Sequence, residues 1–206
     1  RAVVLSLLMV MMTQVGYLES MNPWTSGEET LDETNDVLET GGSSFAYAND
    51  KLSGADRHTC AILDNGDLKC WGYDGQGQLG DGGTNTDTNA PSSTAIDLGI
   101  GRTAVSVVSG DWHTCAILDN DDMKCWGTGT NGRLGNGGTS DKTTPVATNT
   151  LGSGRTAVDI SAGAAHTCAV LDNGDLKCWG SDAYGQLGTG QGYGYSGTAI
   201  DLGTGR

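Results

Sequence analysis

Six cysteines, three histidines and three aspartate-rich turns are the residues of this 206-residue chain that could carry chemistry. The cysteines come in pairs ten positions apart: Cys60 and Cys70, Cys115 and Cys125, Cys168 and Cys178. Zinc knuckles use close C-x2-C pairs, so this wider, even-numbered pattern points to disulfides and an oxidising compartment. His58, His113 and His166 are of the type that ligates zinc. Each, however, stands at the same point of a repeated line and is followed by the same threonine, so a structural role is expected and no metal is assigned. The turns DNGD and DNDD resemble parts of a calcium loop but lack its later glutamate. The glycine-rich GQLGDGG has no Lys-Ser/Thr tail for phosphate, and no serine stands in a nucleophile elbow. No catalytic constellation and no cofactor are expected.

The elements that must position these residues are repeats. HTCAILDNGDLKCWG begins at His58, HTCAILDNDDMKCWG at His113 and HTCAVLDNGDLKCWG at His166. Other landmarks keep step. GQLG at Gly77 returns as GRLG at Gly132 and GQLG at Gly185, and GIGRTAV at Gly99 returns as GSGRTAV at Gly152. A period of roughly 50 residues lies in the range of propeller blades. We place the copies at about 51–102, 103–155 and 156–206, the last truncated at GTGR.

Each copy reads as a β-hairpin whose register follows from its turn. A two-residue Asn65-Gly66 turn would set Cys60 and Cys70 on opposite faces of the sheet. A three-residue loop, Asp64-Asn65-Gly66, places Gly66 in the left-handed position of a bulge and pairs Cys60 with Cys70. If the closing pair is hydrogen-bonded, the cysteines form a non-bonded pair with Cβ atoms roughly 4.5–5.5 Å apart. A disulfide needs about 3.5–4.5 Å, so the link is reachable with a slight pinch. In the second copy Asp121 takes the left-handed position. Ala61-Ile62-Leu63 is a continuous apolar run, as in a strand covered on both faces. TAVSVVSG from Thr103 supplies another strand. TAIDLG (from Thr94 and Thr198) and PVATNTLG (from Pro145) supply a weaker fourth.

Composition agrees with an all-β chain. There are 34 glycines and a single phenylalanine, poor material for a helical core. The formal charge of -14 disfavours nucleic-acid phosphates and anionic lipid as partners. Arg1 and the apolar run from Ala2 to Met12 read as a signal peptide or N-terminal membrane anchor over residues 1–18. Any membrane attachment would run through residues 2–18 alone. Residues 19–50 carry many carboxylates and no Lys or Arg, and read as an acidic disordered linker.

The pattern G-x-x-HT-x-A-x-L-x-x-x-G-x-x-x-x-WG followed by GQLG resembles the repeat of the regulator of chromosome condensation family. The resemblance covers about residues 52 to 206. It implies an all-β fold, a seven-bladed β-propeller with four strands per blade, of which three repeats are present as a fragment. It also implies structural roles for His58, His113, His166, for Trp71, Trp126, Trp179, and for the glycines. Gly54, Gly110 and Gly163 would stand before a strand, with one extra residue ahead of His58 in the first copy, and Gly72, Gly127 and Gly180 follow the tryptophans. The paired cysteines resemble those of secreted prokaryotic relatives.

Positions released from the repeat pattern are where recognition would be placed. These are Arg57 and Trp112 before the histidines, and Tyr73, Asp74, Asp182 and Tyr184 after the WG dipeptides. The expected function is a non-catalytic scaffold, secreted or at the cell surface, binding a protein or glycan through propeller loops. The alternative is an intracellular guanine-nucleotide exchange factor or chromatin-associated regulator, as the resemblance implies. A third reading fuses the propeller to a catalytic domain.

Overall fold

The computed structural model describes residues 51–83, 87–190, 199, 200 and 202. The expected leader (1–18) and acidic linker (19–50) lie outside the described residues. Regular structure in the described part is all strand, apart from one 3-10 turn at Thr130–Gly132.

The strands form three antiparallel sheets, one per repeat. The first holds β1 (Leu52–Gly54), β2 (His58–Ile62) and β3 (Leu68–Gly72). The second holds β4 (Ala104–Ser109), β5 (His113–Leu118), β6 (Met123–Gly127) and β7 (Lys142–Ala147). The third holds β8 (Ala157–Ala162), β9 (His166–Leu171), β10 (Leu176–Gly180) and β11 (Ala199–Ile200). We refer to them as blades one to three.

The central hairpins have the three-residue loop. Leu63 N donates to Asp67 O at 2.9 Å and Gly66 N to Leu63 O at 2.8 Å. Gly66, Asp121 and Gly174 take left-handed φ values of 81°, 64° and 82°. Cys60 therefore faces Cys70, Cys115 faces Cys125 and Cys168 faces Cys178. Each pair is disulfide-bonded across a narrow rung, with Cα atoms 4.0, 4.1 and 4.0 Å apart.

The fourth strand lies within TAIDLG in blade three, as expected, at Ala199–Ile200, but departs from expectation in blades one and two. In blade two it is Lys142–Ala147, beginning ahead of Pro145, and its place at the sheet edge tolerates the missing proline N–H. In blade one TAIDLG forms no strand. Thr94 N is held by Ser92 Oγ and Gly99 N by Asp97 Oδ1, so side chains take the backbone groups on either side. What remains is one ladder-like bond, Ile96 N to Leu68 O at 2.9 Å.

Alternation along β5 shows why the apolar runs are continuous. Ala116 and Leu118 join a core shared with Cys60, Leu68 and Leu79 of blade one. Cys115 and Ile117 join a second core with Ile160, Ala169 and Leu171 of blade three. All four are fully buried, so the middle strand is covered on both faces.

Between blades the conserved-looking letters of the repeat meet in one hydrogen-bonded clamp. Trp126 Nε1 and Thr114 Oγ1 both donate to the Gln78 carbonyl of blade one, at 3.0 and 2.9 Å. Because the threonine proton is committed there, its oxygen accepts from His58 Nε2–H at 2.7 Å. The junction of blades two and three repeats this. Trp179 Nε1 and Thr167 Oγ1 donate to the Arg133 carbonyl at 3.0 and 2.9 Å, and His113 Nε2 meets Thr167 Oγ1 at 2.9 Å. The tryptophan rings lie on the second glycine of the GxLG loops of blades one and two; a Cβ on Gly80 would stand 2.5 Å from Trp126 Nε1 and one on Gly135 2.7 Å from Trp179 Nε1.

Donor counting fixes both histidines as neutral with the proton on Nε2. Their Nδ1 atoms are buried without a partner, so a second proton there would have no acceptor. Burial lowers the pKa of His58 to about 4 and, with the positive charge of Arg133 adding to it, that of His113 to about 3.

Two predictions follow from these turns and clamps. Asp121→Gly removes a left-handed aspartate and should stabilise the protein by up to about 1 kcal/mol, read from the denaturant midpoint; destabilisation would refute the strain assignment. The second concerns acid. A histidine whose folded pKa is depressed favours the fold fully above its unfolded value near 6.5, and that contribution is lost as pH falls toward 4 and 3. At pH 5 each of the two clamps should have lost about 2 kcal/mol. His113→Gln keeps a neutral donor, so its stability should fall less steeply between pH 7.5 and 5 than that of the wild type.

Candidate recognition rim

The loops joining β1 to β2 and following β3 emerge at the same end of blade one, opposite the Asp64-Asn65-Gly66 turn. The equivalent loop of blade two, Asp111-Trp112, emerges beside them. Three of the residues singled out in the sequence converge here. The Arg57 guanidinium lies over the Trp112 ring, 4.4 Å from its centroid, and 5.6 Å from the centroid of Tyr73. Tyr73 and Trp112 meet edge to face, with centroids 5.7 Å apart and planes at 84°. Both geometries are attractive: a cation over a negative ring face, and a positive ring edge against another. Asp56 Oδ2 accepts from Arg57 Nε at 3.2 Å, in an exposed pair of little energetic weight.

This arrangement can present flat apolar area and unspent guanidinium donors at one point of the rim. Arg57 is exposed, while Trp112 and Tyr73 are half-buried and so held in place by their surroundings. The site spans two blades and exists only when they are docked.

Asp74 and Asp182 do not belong to this surface. They are buried, and their Oδ1 atoms accept from Leu79 N at 3.0 Å and Leu187 N at 2.9 Å. Each carboxylate closes the loop that delivers the GxLG carbonyl or its counterpart, which explains an aspartate after WG without a ligand. Tyr184 is 95% exposed on blade three, apart from the Arg57 cluster. At the second junction the rim is built differently. Ala165 stands where Trp112 does, and buried Arg133 fills the space, with Nε donating to Thr130 O and Nη1 to Ala164 O at 2.9 and 3.2 Å. Burial lowers its pKa, against the raising influence of Asp141 and Asp111.

The histidines are not brought together. His58 and His113 each face the following blade, and burial lowers the pKa of His166 too. Among the described residues no cluster of His, Cys, Asp or Glu could hold a metal ion. Nor is any helix there long and apolar enough to cross a membrane. One glycine assignment is corrected. In blades two and three Gly110 N and Gly163 N donate to the histidine carbonyls, but in blade one the donor is Ala55 N at 3.0 Å. The extra residue ahead of His58 thus shifts the equivalent position from Gly54 to Ala55. Sequence reasoning missed the clamp threonines, although the HT dipeptide in every copy was the signal. It also missed the Gln78 and Arg133 carbonyls, which left none.

Comparison with known proteins agrees with this architecture. The signature described as the regulator of chromosome condensation (RCC1) repeat matches residues 53–78, 104–133 and 157–186, and a second form of it matches 125–170. The ultraviolet-B receptor UVR8 of Arabidopsis thaliana is 37% identical over 141 residues, covering 68% of this chain and 31% of the receptor. The human E3 ubiquitin-protein ligase HERC2 is 33% identical over 138 residues, 67% of this chain and 3% of the ligase. Among solved structures, yeast RCC1 (Prp20) bound to Kap60 superposes with a TM-score of 0.61 at 20% identity, over 73% of this chain and 36% of that one. Human WBSCR16 gives 0.62 at 21% identity, over 72% and 36%. The chain therefore spans about a third or less of these relatives. Three sheets of the same make, joined by the same clamp and matched by the same signature, place this chain in the RCC1 repeat family, with the β-propeller blade as its unit.

Proposed function

We propose that the repeat region is a non-catalytic recognition scaffold, secreted or held at the cell surface, that binds another protein through the rim carrying Arg57, Tyr73 and Trp112. The observation that carries this reading is the cation–π cluster itself. Arg, Tyr and Trp are the residue types enriched in binding hot spots, and here they come from two blades to one place. Cysteine pairing within each hairpin supports an oxidising compartment. In this reading residues 1–18 export or anchor the chain and residues 19–50 tether it. Solved relatives support protein partners: yeast RCC1 (Prp20) is solved bound to Kap60, and Prp20p has binding properties to Gsp1p and histones. Fold alone does not assign the partner, which is why the rim carries the argument.

The intracellular reading, an exchange factor or chromatin-associated regulator, draws on those same relatives and on the acidity of the chain, which suits a basic protein partner. The two readings differ in the state of the thiols. Peptide mapping of natively produced protein, alkylated without reduction, should yield linked Cys60–Cys70, Cys115–Cys125 and Cys168–Cys178 peptides. Six alkylated thiols would move the intracellular reading ahead. For the rim, binding to arrays of extracellular protein domains and of glycans should show protein signals that Trp112→Ala and Arg57→Ala each weaken at least about tenfold. Signals untouched by both variants would place recognition elsewhere, and signals on glycans alone would change the ligand class.

A further inference from the structure

Blade one lacks a rung that blade two has. In blade two Cys125 pairs with Val146 of β7, and further along Thr148 N donates to Met123 O. The hydroxyls of Thr148 and Thr150 then donate to the carbonyls of Leu134 and Gly135, which stitches the outer segment to the GxLG loop. In blade one β3 meets the corresponding segment only at its two ends. Gly72 exchanges bonds with Thr88 at 2.7 and 2.9 Å, and Ile96 N donates to Leu68 O at 2.9 Å. Backbone groups alternate sides along a strand, so Cys70, midway between Leu68 and Gly72, turns its N–H and C=O outward as they do. Among the described residues neither group meets a partner.

The cause is one residue. Asp87 and Asp141 begin the two segments alike, each accepting from the amide two residues after the WG glycine, at Asp74 and Gly129. Gly99 follows Asp87 by twelve positions, whereas Gly152 follows Asp141 by eleven. The surplus residue bows the chain away from β3. What is left is a cleft of about 260 Å3 at the junction of blades one and two, with Thr144 of blade two in its wall. Cys70, Leu79 and Ile96 form its buried part, the exposed Asp81 and Asp97 complete the lining, and no basic residue lines it. The Thr88 hydroxyl, in the same lining, is buried without a partner.

We propose that this cleft binds an extended, basic segment of a partner protein, which supplies the missing rung of blade one by pairing with Cys70. Unmet N–H and C=O groups on a strand edge are a template for such strand addition. The volume lies below the roughly 300–1,000 Å3 of small-molecule pockets, which suits a short stretch of small residues. Asp81 and Asp97, on a chain of net charge -14, select lysine or arginine beside the pairing residue. Arg57, Tyr73 and Trp112 take no part in this lining, so the site is separate from the rim.

The test uses the capped pentapeptide Lys-Val-Ala-Thr-Lys, whose core copies Val146, Ala147 and Thr148 of blade two. Hydrogen exchange and titration are read on the full chain. Without peptide, the Cys70 amide should exchange at least about tenfold faster than that of Cys125. Peptide should slow it, with a dissociation constant below about 1 mM. Methylating the valine nitrogen removes the N–H that meets Cys70 O, and exchanging both lysines for glutamates reverses the charge; each should weaken binding at least about fivefold. Deleting Ser93 restores the eleven-position spacing, so the loop should zip onto β3, protect the Cys70 amide and abolish binding. Thr88→Val removes the buried hydroxyl at constant shape, and should weaken binding while leaving the fold at least as stable. Loss of binding in Trp112→Ala would assign the peptide to the rim and overturn the proposal. A Cys70 amide as protected as that of Cys125 without peptide, no saturable binding up to about 10 mM, or binding indifferent to N-methylation and to the Ser93 deletion would overturn it equally.

Discussion

The structure depends on one carbonyl group at each junction between its blades. In the GxLG loops of blades one and two the peptide oxygen of the variable residue points into the following blade and accepts two hydrogen bonds, from a tryptophan and a threonine. A strand element buried on both faces cannot stand alone, because its apolar side chains need a partner sheet on either side. Apolar contact provides most of the driving force for stacking, but it is non-directional and would allow blades to slide. The paired hydrogen bonds fix the register, since two donors converge on one buried acceptor that would be costly to leave unmet. The histidine then closes the chain of donors, and its neutrality is a requirement of the counting.

Seen this way, the glycines divide into two kinds. Some turn the chain: Gly66 and Gly174 take left-handed conformations in their hairpins. Others yield space. Gly80 and Gly135 let an indole ring rest on the backbone, which brings the carbonyl one residue pair away into reach. The aspartates after WG serve the same end from the other side of the loop, by tying its far amide to a buried carboxylate. The rim cluster is a by-product of this geometry put to use. Once two blades are locked in register, the loops of both emerge side by side; Arg57 and Tyr73, already joined by a Tyr73 N to Arg57 O bond of 2.9 Å, then meet Trp112 from the next blade.

Much of this was legible in the sequence, because the repeats speak three times. The hairpin register followed from turn chemistry, and the cysteine pairing from the register. Burial of Trp126 and Trp179 followed from their place in every copy. The rim residues stood out because they break the pattern, and three of them do meet. What could not be read was of two kinds. Asp74 and Asp182 look like free loop residues, since a carboxylate beside glycines gives no sign that its partner is a backbone amide five positions on. The Gln78 and Arg133 positions look variable because only the peptide oxygen is used, and every residue type supplies one. The fourth strand was misplaced in blade one for a similar reason: edge pairing there is decided by short serine and aspartate turns that compete for the same backbone groups.

The placement of the disulfides bears on how such a chain would yield to force. Each bond spans one hairpin and none crosses from blade to blade. Tension along the backbone would therefore find the blade junctions unlocked and the hairpins locked. Each bridge withholds its loop from extension, roughly 30 Å of contour at about 3.3–3.6 Å per residue. A pulled chain would come apart as intact beads, blade leaving blade, with each hairpin still holding the template for its own return.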